Sequence, residues 1–344
     1  MTKDKLNDDK NTFPFPDDPV AVIGLARELF NQACVLDTAE SAEAVKELQR
    51  LADQYPSLEE VTVKLAHGLF NLACIQEERE AATATIIDLQ ALYKKYPDND
   101  EVAASLAKGL VNMASQQDEV AAHITAIELK AIAERHPNHP EIVMALAYSL
   151  VDLISKQNLA DAIASVSQLR KLSNKYPDMQ GIAVTLAYGL VDLAVKQDLA
   201  GISDSTAKLK KLTGRYPDNS EINVEYAKIL VTLADKQSQK QDTKATELTL
   251  TKLRELSSKY PDNQGVITAL SYGLANLSFT QEAAEAKLTT EEIQQLAKVY
   301  PDNEEVLIKL INVLVDLSNK QDETDSIKTM GELKRLSEQY PDLF

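Results

Sequence analysis

Apart from carboxylates, few side chains here could bind a metal or move protons: four His, two Cys and 53 Asp or Glu in 344 residues. A zinc site needs His or Cys converging at tetrahedral spacing. His136 and His139 are separated by Pro137 and Asn138, so they do not share a helix face, and no Cys is near them. His123 stands further upstream. The histidines read as packing and capping residues, and no metal or other cofactor is expected. There is no Gly-rich phosphate loop, no G-x-S-x-G and no H-E-x-x-H. No pair of carboxylates is singled out by its spacing, so the chain is read as non-enzymatic.

What does recur is a junction. Tyr-Pro appears at Tyr55, Tyr96, Tyr176, Tyr216, Tyr260, Tyr300 and Tyr340, with His136-Pro137 in the one vacant slot and Phe15-Pro16-Asp17 at the start. The intervals are 40 or 41 residues, except for one of 44 after Tyr216. A fixed period of this size predicts an all-α solenoid of about eight helix-turn-helix repeats. The repeats run 16–55, 56–96, 97–136, 137–176, 177–216, 217–260, 261–300 and 301–340, after a polar tail at 1–15. Residues 16–344 are expected to form a single array. The longer interval is assigned to 237–245, QSQKQDTKA, as extra length in the connection inside the sixth repeat.

The third repeat shows how each unit is built. Asp98 or Asn99 can cap the first helix, with Glu101 in its first turn. Val102, Leu106, Gly109, Leu110, Met113 and Ala114 fall on one helical face. After Gln116-Gln117-Asp118 a second helix follows, with Ile124, Ile127, Leu129 and Ile132 as its apolar stripe, and it ends before Pro137. The recurring Tyr at that end is expected to pack as core beneath the next repeat. Small residues recur within the first helices at Gly68, Gly109, Ser149, Gly189 and Gly273. Gly there costs about 1 kcal/mol against Ala, so close approach of a second helix is the expected reason; Ile229 and Val313 predict wider crossings. Cys34 and Cys74 occupy equivalent positions, too far apart for a relaxed disulfide across stacked helices, and read as buried small residues.

A net charge of −17 argues against nucleic acid and against an anionic membrane surface. It leaves solubility, or attraction to a basic partner. Two Cys, no signal peptide and no long apolar run point to a cytoplasmic location.

The junction and the helix pattern together resemble the tetratricopeptide repeat. Leu106, Ala107 and Leu110 stand where that family keeps its Leu, Gly and aromatic residue, and Leu89 where it keeps the large residue of its second helix. These repeats are about six residues longer than the family's, and Leu92 replaces a usual Ala; a HEAT-type array is the structural alternative. The resemblance implies a right-handed superhelix whose first helices line a concave, partner-binding face.

On that implication, the residues eleven and fifteen positions after each Pro face the groove, four apart on one surface. The first column reads Arg27, His67, Lys108, Tyr148, Tyr188, Lys228, Tyr272 and Asn312. The second reads Asn31, Asn71, Asn112, Asp152, Asp192, Thr232, Asn276 and Asp316. Asn and Asp are poor mid-helix residues, so the second column is either a brace between repeats or a polar recognition stripe. Peptide-binding members of the resembled family use Lys, Arg and Asn in such columns to hold a carboxylate, which is the expectation for Arg27 through Asn112. Tyr148 with Asp152, and Tyr188 with Asp192, suit a basic or apolar side chain. The functional expectation is a scaffold or adaptor that binds a protein or peptide, with a monomer favoured. The alternatives are a peptide-sensing regulator that acts through a separate partner, and a self-assembling structural protein.

Overall fold

A computed structural model describes residues 18–35 and 37–343. The expected tail at 1–15 and the first Phe-Pro junction lie outside them. Among the described residues the chain is all-α, with sixteen helices and no strand. The first eight are α1 (Pro19–Val35), α2 (Thr38–Gln54), α3 (Glu59–Ile75), α4 (Arg79–Lys95), α5 (Asp100–Ala114), α6 (Glu119–Arg135), α7 (Pro140–Lys156) and α8 (Leu159–Lys175). Then come α9 (Gln180–Lys196), α10 (Leu199–Arg215), α11 (Ser220–Gln239), α12 (Thr243–Lys259), α13 (Gln264–Thr280), α14 (Ala283–Val299), α15 (Glu304–Lys320) and α16 (Glu323–Gln339), and a 3₁₀ turn at Pro341–Leu343. Seventeen-residue helices absorb the length of the repeat.

The helices fall into two compact units, up to Asp152 and from Leu153. In the first, α3 packs on α1 and α5 and lies between α2 and α4. In the second, α11 packs on α9 and α13 between α10 and α12, and α13 repeats the arrangement with α11, α15, α12 and α14. Within each unit first helices thus stack on one another, and α3, α5, α9, α11, α13 and α15 are each sandwiched by two second helices. Their buried faces, such as Val61, Leu65, Ala66, Leu69 and Leu72 of α3, join a core continued by Leu48, Leu51 and Leu89. No helix pair could bury such a face alone.

The junction performs three tasks. Asn99, Asn219, Asn263 and Asn303 each accept a backbone N–H with Oδ1 and so cap α5, α11, α13 and α15. The Asn99 and Asn303 amides also donate to Glu59 and Gln264 of the preceding repeat, each at 2.8 Å. The Tyr residues are half-buried, and Tyr216 and Tyr260 reach backward, not under the next repeat. Tyr216 and Tyr260 donate at 2.8 Å to the carbonyls of Pro177 and Pro217. In the His136 slot, Nε2 lies 3.0 Å from the Pro97 carbonyl and Nδ1 2.6 Å from Asp100 Oδ1, so the ring takes over the work of the phenol.

In seven of the eight repeats, the second to the eighth, a Gln at the turn joins the two helices. Thr85, Thr125, Ser165, Ser205, Thr249, Thr289 and Thr329 donate at 2.6–2.8 Å to Gln76, Gln117, Gln157, Gln197, Gln237, Gln281 and Gln321. Each bond satisfies a hydroxyl that the helix pair buries.

Four expectations are corrected. Ile124 and Ile127 are exposed; the buried arc of α6 is Ala122, Thr125, Ala126, Leu129, Ile132 and Ala133. At about 100° per residue, the two Ile lie some 140–160° from Leu129. Cys34 and Cys74 are exposed, not buried. The insertion in the sixth repeat lengthens α11 to 20 residues instead of swelling the loop, and the turn that follows places Gln241 at φ 58°. Finally, the second helix that approaches the helical glycines belongs to the preceding repeat. A Cβ at Gly109 would lie 2.4 Å from Ile86 of α4, and one at Gly273 2.8 Å from Leu250 of α12.

Among the described residues, no helix is long and apolar enough to cross a membrane.

Candidate functional site: the two columns of the first helices

In the unit up to Asp152, the first column is engaged by a Glu at the start of the next first helix. Arg27 Nε lies 2.6 Å from Glu60, His67 Nε2 3.4 Å from Glu101, and Lys108 Nζ 2.7 Å from Glu141. The Arg27 and Lys108 pairs face solvent, with the Arg27 side chain 62% exposed, whereas His67 is half-buried. The Arg27 hydrogen bond holds the Glu60 carboxyl below the usual Glu range, and the Lys108 bond does the same for Glu141. Burial lowers the His67 pKa against the pull of Glu101. Tyr148 is 52% exposed.

The second column of this unit ties to cysteine. Asn71 Nδ2 donates to Cys34 Sγ at 2.9 Å, and Asn112 Nδ2 to Cys74 Sγ at 3.2 Å. Each bond spans one repeat, and each exposed thiol sits one turn beyond the column residue of its own helix. Asn31 is exposed, and Asp152 is half-buried.

In the unit from Leu153 the first column keeps the acidic acceptor but changes the donor. Tyr188 donates to Glu221 and Tyr272 to Glu305, both at 2.8 Å. The Glu305 bond pushes the Tyr272 pKa up, and Lys309 lies 3.6 Å from its ring centroid. Lys228 departs from the pattern and pairs at 2.7 Å with Glu225 of its own helix, because Gly265 holds the place of the next Glu. Glu225 is 3% exposed; burial raises its pKa, with Lys228 opposing. Asn312 is exposed.

The second column of this unit uses lysine one turn further on. Lys320 lies 2.8 Å from Asp316 and donates to the Ser278 and Phe279 carbonyls at the end of α13. Lys196, one turn after Asp192, donates to the Ser155 and Gln157 carbonyls at 2.9 and 3.0 Å. A cation at helix C-terminal carbonyls is favoured by the dipole. Burial raises the Asp192 pKa, against Lys196 and Lys228. Thr232 bonds to its own helix at Lys228, and Asn276 is half-buried.

Sequence reasoning missed the Glu column, the turn Gln and the lysine clamp. A signal was present: Glu recurs four residues after Pro at Glu60, Glu101, Glu141, Glu221 and Glu305, 33 or 34 residues beyond its partner in the first column.

The fold and its columns define an all-α tandem helical-repeat protein. No protein-family model matches the sequence, and no curated protein matches it. Among solved structures the chain is similar to one described as a circular tandem repeat protein with novel repeat topology and enhanced subunit contact surfaces. The likeness has 15% identity and a TM-score of 0.40, over 94% of this chain and 96% of that one.

Proposed function

We propose that this protein is a non-enzymatic, tetratricopeptide-like scaffold that binds a protein or peptide segment on the first-helix faces. The supporting observation is that each unit presents two polar columns, in register from repeat to repeat, and that the Arg27–Glu60 and Lys108–Glu141 pairs of the first unit are solvent-exposed. Exposed pairs of this kind hold only weakly in water, so a partner can exchange with Glu60 or Glu141 at small cost. Bracing and recognition are then two uses of the same side chains. Tyr148 adds an exposed aromatic body with a polar tip, the type of residue enriched at binding hot spots.

Two variants separate these uses. In one, Arg27, Lys108, Tyr148 and Tyr188 become Ala; in the other, Glu60, Glu141 and Glu221 become Gln. Both loosen the ladder, but only the first removes the recognition groups. The expected result, in affinity capture from native lysate with quantitative mass spectrometry, is that proteins held by the wild type are lost by the first variant and kept by the second. Equal retention by both would place binding elsewhere and overturn the reading.

A further inference from the structure

Apart from the two columns, the outward side of α6 carries three aliphatic residues at i, i+4 and i+7 spacing: Val120, Ile124 and Ile127. With Ile87 of α4 they form a patch whose members are 57–71% exposed. The two helices are joined where the Gln90 amide donates at 2.9 Å to both oxygens of the Glu128 carboxylate. Ile87 lies one turn before Gln90 and Ile124 one turn before Glu128, so the two flank one groove.

Repeat packing does not call for these residues. At the three α6 positions, α8 has Ala160, Ala164 and Ser167, while α4, α12 and α14 keep one large aliphatic each, Ile87, Leu248 and Leu288. The stripe lies away from the buried arc, on the side where a surface helix is ordinarily polar. A contiguous exposed apolar patch marks an interaction surface.

Two observations define what covers it. The backbones of α4 and α6 are hydrogen-bonded within their own helices, and the Gln90 amide is taken by Glu128. The groove therefore offers nothing to an extended backbone, and a segment that satisfies its own backbone groups, a helix, fits it. The second observation is charge. Residues 79–90 and 119–128, which carry the patch, hold Glu80, Asp88, Glu119 and Glu128 against Arg79 and His123. Glu128 meets a neutral amide that leaves its charge uncompensated, and Lys130, further along α6, pairs with Glu134.

We infer that the groove between α4 and α6 docks an amphipathic helix whose aliphatic face is flanked by Lys or Arg. Its apolar side chains cover Ile87, Val120, Ile124 and Ile127, and its cations reach Asp88 and Glu119 at the rim. A second copy of this chain is disfavoured as the occupant, because each copy carries a net charge of −17 and like charges repel.

The test titrates the full chain with three blocked peptides of about 14 residues. One sets Leu at i, i+3, i+4 and i+7 with Lys elsewhere, the second replaces its Lys by Glu, and the third shuffles the Leu–Lys composition so that no apolar face forms. The expected result by calorimetry is saturable binding of the first, one per chain, and at least tenfold weaker binding of the other two. Amide exchange should slow in α4 and α6. Ile124→Ser with Ile127→Ser should weaken binding at least tenfold at unchanged Tm, because both side chains are exposed, while Leu248→Ser leaves it unaltered. Asp88→Asn with Glu119→Gln should weaken it and flatten its salt dependence. The proposal is overturned if the Glu or shuffled peptide binds as well as the first, if protection falls outside α4 and α6, or if the double Ser variant binds like the wild type. It is also overturned if the double Ser variant loses Tm, which would give the two Ile a structural role. A concentration-dependent mass that the double Ser variant abolishes would assign the groove to a second copy and overturn it as well.

Discussion

The two units answer the same geometrical problem with different chemistry. Up to Asp152, the first column uses Arg27, His67 and Lys108 against Glu, and the second uses an Asn amide on a thiol. From Leu153 onward, phenols replace the cations and a lysine clamp replaces the Asn. The positions are equivalent, and so is the one-repeat span of most of the bonds. A column position is therefore defined by where it points, and several donor types fit. The consequence is that the units should respond differently to mutation, pH and salt.

The clamp should matter most. Replacing Lys196 by Met leaves two carbonyls without their charged donor and half-buried Asp192 without its nearest cation. Hydrogen bonds from charged groups are worth about 1.5–3 kcal/mol, and the site is partly solvated, so a loss of about 2 kcal/mol is expected. Asn71→Ala or Asn112→Ala should cost only about 0.5 kcal/mol, since sulfur is a weak acceptor. Urea unfolding with spectroscopic probes in each unit checks the contrast. Equal losses would mean that the clamp is no stronger than the Asn–thiol bond.

Acidification should move the two units in opposite directions. Glu60 and Glu141 have folded pKa values depressed by Arg27 and Lys108. Their stabilisation is present above the unfolded Glu value of about 4.3 and is lost as the pH falls below it through the folded values. Asp192 and Glu225 are shifted upward by burial. A raised carboxyl favours the fold when protonated, so its contribution grows as pH falls from neutral toward about 4. Between pH 7 and 4, amide protection around α9 and α11 should rise relative to that around α3 and α5. Glu225→Gln should reproduce part of the gain at pH 7, as a Tm increase of about one degree. A fall in Tm would show that the Lys228 pair outweighs the burial of the charge.

Much of this architecture is legible in the sequence because it is local. The Tyr-Pro period, the Asn cap at Asn99 and the glycine at Gly109 each announce themselves within a few residues of their structural effect. The state of the columns is not local. Whether Lys108 is free or held by Glu141 depends on how far each first helix is displaced along its neighbour, and only packed helices fix that stagger. The Ile124 error has a related cause. α6 is apolar on both sides, so composition cannot say which arc is buried; Leu129 and Ile132 decide it only once α5 is in place. Residue type alone reads the cysteines as buried, whereas their exposure follows from lying one turn beyond a column residue.

The smallest expected effect concerns salt. Arg27–Glu60 and Lys108–Glu141 are attractions between full charges at the surface, and raising ionic strength to about 1 M shortens the screening length to about 3 Å. Tyr188–Glu221 and Tyr272–Glu305 involve one full charge and a neutral donor, so screening removes less from them. Such exposed pairs are weak and readily screened, and the first unit should lose slightly more protection than the second. Chloride is the suitable anion, because sulfate would strengthen apolar burial throughout and mask the difference. Exchange protection of α3 and α5 against α11 and α13, compared in 0.05 and 1 M NaCl, is the measurement. A larger loss at α11 and α13 would mean that the Lys228–Glu225 and Lys320–Asp316 ion pairs, not the phenol–Glu bonds, govern the ionic response of the second unit. The comparison would then turn on ion-pair burial and no longer on the identity of the donor in the first column.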